Sequence, residues 1–164
     1  DRAVALTREA GIALAPTFVA FTPWTTLEGY IALLERLLEL HLVESVPPVQ
    51  LTIRLLVPEG SYLLKLAGFR EKLMAFDPKL LGYPWRHPDP RVDGLQQDLQ
   101  ARVTRGEQEG LARGEVFSAI WRLAHEAAGR RAPDLAANLG SPIPRLSEAW
   151  YCCAEPTEQQ LRSF

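Results

Sequence analysis

Thiols and imidazoles are scarce: this chain of 164 residues holds two cysteines and three histidines. That is too few sulfurs for the disulfide framework that staples small secreted domains, so a reducing compartment, the cytoplasm, is the expected setting. His41, His87 and His125 stand far apart and never at H-x-x-x-H spacing, so they predict no zinc site. Basic charge is not in excess either. With 18 Lys and Arg against 20 Asp and Glu the net charge is −2, which excludes the broad positive field that holds nucleic acid or an anionic membrane. The longest apolar run, Ile31 to Val43, is broken by Glu35, Arg36, Glu39 and His41, as in an amphipathic helix rather than a membrane span. The P-loop, G-x-G-x-x-G and G-x-S-x-G patterns are absent. The chain begins Asp1-Arg2-Ala3-Val4, with neither an initiator methionine nor a signal peptide, and is expected to be the rear part of a longer protein.

What is present is enough apolar sequence for one core, at 47% hydrophobic and 23% charged. Arg2 to Ala10 favours helix, with Gly11 as the residue after its C-cap. Ile12 to Phe21 is extended in character and closes at the turn Thr22-Pro23-Trp24-Thr25. Thr25 or Thr26 then caps a helix whose apolar residues Leu27, Tyr30, Ile31, Leu34, Leu37 and Leu38 recur at helical spacing to about Leu42. Pro47-Pro48 stops it and admits a second strand, Val49 to Val57, before the turn Pro58-Glu59-Gly60-Ser61 and a short helix, Tyr62 to Leu66. This strand–helix alternation predicts parallel strands.

The second strand favours a barrel over an open sheet. Leu51, Ile53, Leu55 and Val57 share one face, while Gln50, Thr52 and Arg54 share the other. A central strand of an open parallel sheet is apolar on both faces, whereas a polar inner face suits a barrel lining a wide cavity. The C-terminal mouth of such a barrel would gather Arg54, Leu56, Thr22, Trp24 and Thr25. An edge strand with a solvated face explains Arg54 equally well, and Trp24 is an ordinary packing residue in most settings. The expected fold class is therefore α/β: the last two β/α units of a TIM-like barrel over residues 1–66, a helical extension over 67–149 and a tail over 150–164. Within the extension, Val92 to Val103 and Glu115 to Ala128 carry helical apolar stripes.

The tail, Trp150-Tyr151-Cys152-Cys153-Ala154-Glu155-Pro156, holds both cysteines side by side. Adjacent thiols make a poor metal pair, because chelating cysteines are usually separated by two or more residues. They remain candidates for buried structural thiols or for a redox or nucleophilic pair, with Glu155 raising a thiol pKa unless a cation opposes it.

Three segments carry a family resemblance. Phe18 to Tyr30, FVAFTPWTTLEGY, is similar to the fifth barrel strand and following turn of radical S-adenosylmethionine (SAM) enzymes, matching that turn through Pro23 and Thr26. Ile53 to Leu64, IRLLVPEGSYLL, resembles their sixth strand and its exit, through Pro58, Gly60 and Ser61. Trp150 to Pro156 is similar to the C-terminal signature of the CUAEP/CCAEP-tail radical SAM family, with cysteine at 152 and cysteine or selenocysteine at 153. The resemblance implies a radical-SAM-type barrel, a 4Fe-4S cluster that reduces SAM, and hydrogen abstraction from a small-molecule or peptide substrate. It leaves open whether a cobalamin domain stands upstream. The cluster motif C-x-x-x-C-x-x-C is absent from this chain, so the resemblance makes it the C-terminal half of such an enzyme, with the N-terminal half as its partner. It also implies Arg54, Leu56 and Val57 at the cofactor, Thr22, Trp24 and Thr25 toward substrate, and Cys152 and Cys153 as the catalytic sulfurs. A different reading of the same tail is a thiol-dependent redox or partner-binding module without radical chemistry.

Overall fold

The computed structural model describes residues 1–135 and 138–141. Four α-helices dominate them: α1 (Arg2–Glu9), α2 (Leu27–Glu39), α3 (Pro90–Gln108) and α4 (Arg113–Ala127). Short 3-10 turns fill the spaces between. Helix starts follow local chemistry. Thr26 Oγ1 accepts the Gly29 N–H at 2.9 Å, and Glu28 lies in the first turn of α2. Asp89 caps α3 by accepting the Arg91 N–H at 2.9 Å, with Pro90 at the first helical position, where its missing N–H costs nothing.

All four helices end alike. The residue after each C-cap is left-handed, and its N–H and that of the next residue return to carbonyls in the last turn. Glycine takes this place in α1 (Gly11), α3 (Gly110) and α4 (Gly129), as the conformation favours. In α2 it is His41, with φ 51°. The turn at His41 is why α2 stops at Glu39 rather than running to Leu42.

The expected barrel is not there. Among the described residues no strand or sheet forms, only isolated bridges. One of these is parallel and pairs Phe21 with Arg54, through Phe21 N–H to the Ile53 carbonyl and Leu55 N–H to the Phe21 carbonyl, both 2.9 Å. The two segments read as strands thus touch at a single point. Two physical causes stand out. Pro47-Pro48 turns the chain into a 3-10 helix, Pro48–Leu51, where the second strand should begin. Beside it the Gln50 side chain accepts the Phe18 N–H at 3.4 Å, in place of a ladder carbonyl. Two of the three polar residues read as lining a barrel interior are covered instead. Gln50 and Thr52 are 3% and 2% exposed, and α3 lies over this face, with Gln96 Nε2 donating to the Thr52 carbonyl at 3.1 Å.

The main core lies between α2, α3 and α4 and the segments that cross beneath them. Leu34, Leu99 and Ile120 are fully covered in one apolar cluster that also takes in Phe21, Val43 and Leu51. Gly106 lets α3 and α4 approach closely: a Cβ there would stand 2.7 Å from Val116 Cγ2. A smaller cluster gathers Val57, Phe69 and Trp85. Among the described residues, no helix is long and apolar enough to cross a membrane.

Tyr30 ties α2 to the segment below it. Its ring packs 4.8 Å from Phe21, and its hydroxyl donates to the Leu51 carbonyl at 2.8 Å. Burial pushes its phenol well above the ordinary range, so it stays a neutral donor. Tyr30→Phe keeps the ring and strands that carbonyl, and should cost about 1–3 kcal/mol in urea denaturation. A cost below about 0.5 kcal/mol would mean that water takes over the bond.

Candidate functional site

The described part of the expected site centres on Arg54. Its guanidinium sits 3.5 Å from the centre of the Trp85 ring, donates through Nη1 to Asp93 Oδ1 at 2.7 Å, and donates through Nη2 to the Trp85 carbonyl. Each partner is fixed in turn. Trp85 is buried and donates Nε1–H to the Leu55 carbonyl at 2.8 Å. Asp93 lies in the first turn of α3, and its second oxygen accepts the His87 N–H at 2.9 Å. His87 closes the loop onto the α3 cap, its Nδ1 accepting the Asp89 N–H at 2.9 Å. The Asp89 carboxylate accepts side-chain hydrogen bonds from Arg91, which hold its pKa below the usual value.

Beside this cluster lies a cavity of about 360 Å³ lined by Arg54, Met74, Arg86, Asp93 and Gln96, among others. Its volume suits a small ligand, and its lining is polar. The described lining offers hydrogen bonds and charge but no Ser, Thr, Cys or Lys to act as a nucleophile.

The other expected residues divide. Thr22 and Thr25 spend their hydroxyls on the turn they build: the two Oγ1 atoms are 3.0 Å apart, Thr25 Oγ1 accepts the Thr22 N–H at 3.0 Å, and it donates to the Ala20 carbonyl at 3.1 Å. Trp24 is 52% exposed and stacks on Phe69 at 5.2 Å. Leu56 is half-buried. Val57 is fully covered, and its carbonyl accepts the Tyr83 N–H at 2.8 Å. Cys152 and Cys153 lie outside the described residues.

Sequence reading missed Asp93, Trp85 and Gln96. One signal existed: Asp93 sits three residues after Pro90, at a helix start, where an acid is free to face a neighbouring cation. No protein-family model, no curated protein and no solved structure matches this chain.

Proposed function

We propose that this chain is the C-terminal part of a radical SAM enzyme whose vicinal cysteines, Cys152 and Cys153, work at the reacting centre. The observation that carries this reading is the tail Trp150-Tyr151-Cys152-Cys153-Ala154-Glu155-Pro156, with its similarity to the CUAEP/CCAEP signature. The parallel contact of Phe21 with Arg54 agrees with two neighbouring segments that run the same way. Setting and substrate follow the same reading: a cytoplasmic enzyme acting on a small molecule or peptide, completed by an N-terminal half.

This chain's own residues do not fit the 4Fe-4S cluster. Three thiolates are needed to leave one iron open for SAM, and the only two cysteines are adjacent. The cluster therefore belongs to the other half of the polypeptide. The fit to SAM is also poor at two of the three residues assigned to it. The side chain and carbonyl of Val57 are occupied, and Arg54 is held by Asp93 and Trp85, which leaves Leu56 as the more open contact.

The test uses the whole polypeptide that carries this chain, reconstituted anaerobically with iron and sulfide and supplied with SAM and a reductant. Formation of 5′-deoxyadenosine is expected. Cys153→Ser should still cleave SAM yet lose at least tenfold in product formed per deoxyadenosine, because a serine hydroxyl neither ionises nor donates hydrogen as a thiol does. No deoxyadenosine, together with a reversible thiol–disulfide potential at Cys152-Cys153, would establish the redox module in its place.

A further inference from the structure

A net charge of −2 hides an uneven distribution. The chain's three lysines, Lys65, Lys72 and Lys79, all fall between Tyr62 and Leu81, where four cations meet two acids, Glu71 and Asp77. Apolar exposure gathers in the same stretch. Of the eight large apolar side chains that stand exposed among the described residues, five lie there, and a sixth, Trp24, stacks on its Phe69. Single exposed apolar residues need no explanation, but a concentration of them does.

These residues form the outside of one small body. Val57, Phe69 and Trp85 are its core, with Leu63, Leu73 and Tyr83 packed on them. Tyr62 and Leu66, 81% and 49% exposed, flank its first turn, and Leu81, at 70%, tips its last. That tip is built rather than loose. The Asp77 N–H donates to the Gly82 carbonyl, and Asp77 Oδ1 accepts the Lys79 N–H, both at 2.8 Å. Gly82 is pressed on the body, where a Cβ would stand 2.9 Å from the Val57 carbonyl oxygen. Leu81 itself has φ 53°, a left-handed conformation that asparagine or glycine adopts more cheaply. Strain that holds a bare leucine out in water beside Lys79 is a mark of function rather than of folding.

We infer that this face rests on an anionic lipid bilayer, with Leu81, Leu66 and Tyr62 reaching into the interface and the lysines against the headgroups. Two observations favour lipid over a protein partner. Protein interfaces are depleted in lysine and enriched in arginine. This stretch takes every lysine of the chain but, of its arginines, only Arg70, whose Nε is spent on the Leu64 carbonyl at 3.1 Å. The apolar groups also project from separate turns beside cations, with Lys65 Nζ 4.3 Å from the centre of the Tyr62 ring. That pairing suits the headgroup layer, where tyrosine sits at the boundary and lysine stems lie along apolar surface. The chain as a whole has no broad positive field, so the contact is local and reversible. It does not depend on the radical chemistry proposed above.

The test is cosedimentation of the whole polypeptide that carries this chain with vesicles of phosphatidylcholine alone or mixed with phosphatidylglycerol. Binding to the mixed vesicles is expected, at least about tenfold stronger than to phosphatidylcholine, and should fall as salt rises. Leu81→Asn suits the left-handed backbone yet removes the apolar tip, and should weaken binding about tenfold with no fall in Tm. Lys65→Gln and Lys79→Gln should each weaken it about fivefold on mixed vesicles and leave binding to phosphatidylcholine unchanged. Ile12 is 62% exposed but lies outside this body, so Ile12→Asn should bind as the parent does. Failure to sediment with mixed vesicles, equal binding to both kinds, or indifference to Leu81→Asn would each overturn the inference. Self-association that Leu81→Asn abolishes, with no vesicle binding in the parent, would give the face to a second copy instead.

Discussion

Arg54→Ala should destabilise the folded chain by about 3 kcal/mol, at the low end of the roughly 3–5 kcal/mol that breaking a buried ion pair costs. The low end applies because the pair is not sealed: the Arg54 and Asp93 side chains keep 15% and 23% of their exposure. Three losses add up. Asp93, in the first turn of α3, loses its cation and keeps the His87 N–H, the Trp85 carbonyl loses its donor, and the Trp85 face loses the cation packed against it. Asp93→Asn removes the charge but keeps an oxygen for His87, and should cost about 1–2 kcal/mol. In a double-mutant cycle the two should couple by about 1–2 kcal/mol. Urea denaturation with an unchanged m-value reads all three. A single-variant cost for Arg54→Ala within 0.5 kcal/mol of zero would show the cluster to be ornamental to the fold. The same experiment clears the ground for the cofactor role that the resemblance gives Arg54. Arg54→Met keeps much of the packing on Trp85, so a fall in turnover that outruns its fall in stability points to contact with ligand.

How legible the molecule was depended on how local each cause is. Helix positions follow from spacing and caps within a few residues, and α3 and α4 bracket the stripes read at Val92 to Val103 and Glu115 to Ala128. Gly11 and Thr26 stand where their chemistry puts them. The strands failed because their signal, alternation, is ambiguous about its partner. Gln50 lies in a 3-10 helix and bonds the Phe18 N–H, while the Thr52 carbonyl and the Arg54 side chain are met by Gln96 and Asp93 of α3, some 40 residues on, and nothing in a local pattern announces a helix that far away. Arg54 was singled out as a charge on the polar inner face of a barrel strand; the barrel does not form, and the residue packs instead against Asp93 and Trp85. The early end of α2 left still less trace, because a histidine stands where a helix end prefers glycine, and its role becomes visible only when the backbone angle at His41 is known.

Ile120→Ala should lower stability by about 3–4 kcal/mol, the range for deleting a fully buried aliphatic side chain into a site that collapses only in part. Ile120 is 0% exposed on α4, the helix that packs against α2, α3 and both 3-10 turns of residues 43–51. At the size of this chain that loss corresponds to a fall in Tm of roughly 10 °C. The shape of the transition matters as much as its position. Ile120 shares its apolar cluster with Phe21, Leu34 and Leu51, so the helices after residue 90 and the segments before residue 52 have one core between them. A void in α4 should therefore move a single cooperative transition, seen at the same temperature by far-ultraviolet dichroism and by the amide resonances of α2, far from the void in sequence. Two separated transitions, with the α2 resonances unmoved, would mean that residues 90–127 fold independently of the first sixty. Tyr62→Ala serves as the control: Tyr62 is 81% exposed, and its removal should change stability by no more than about 0.5 kcal/mol.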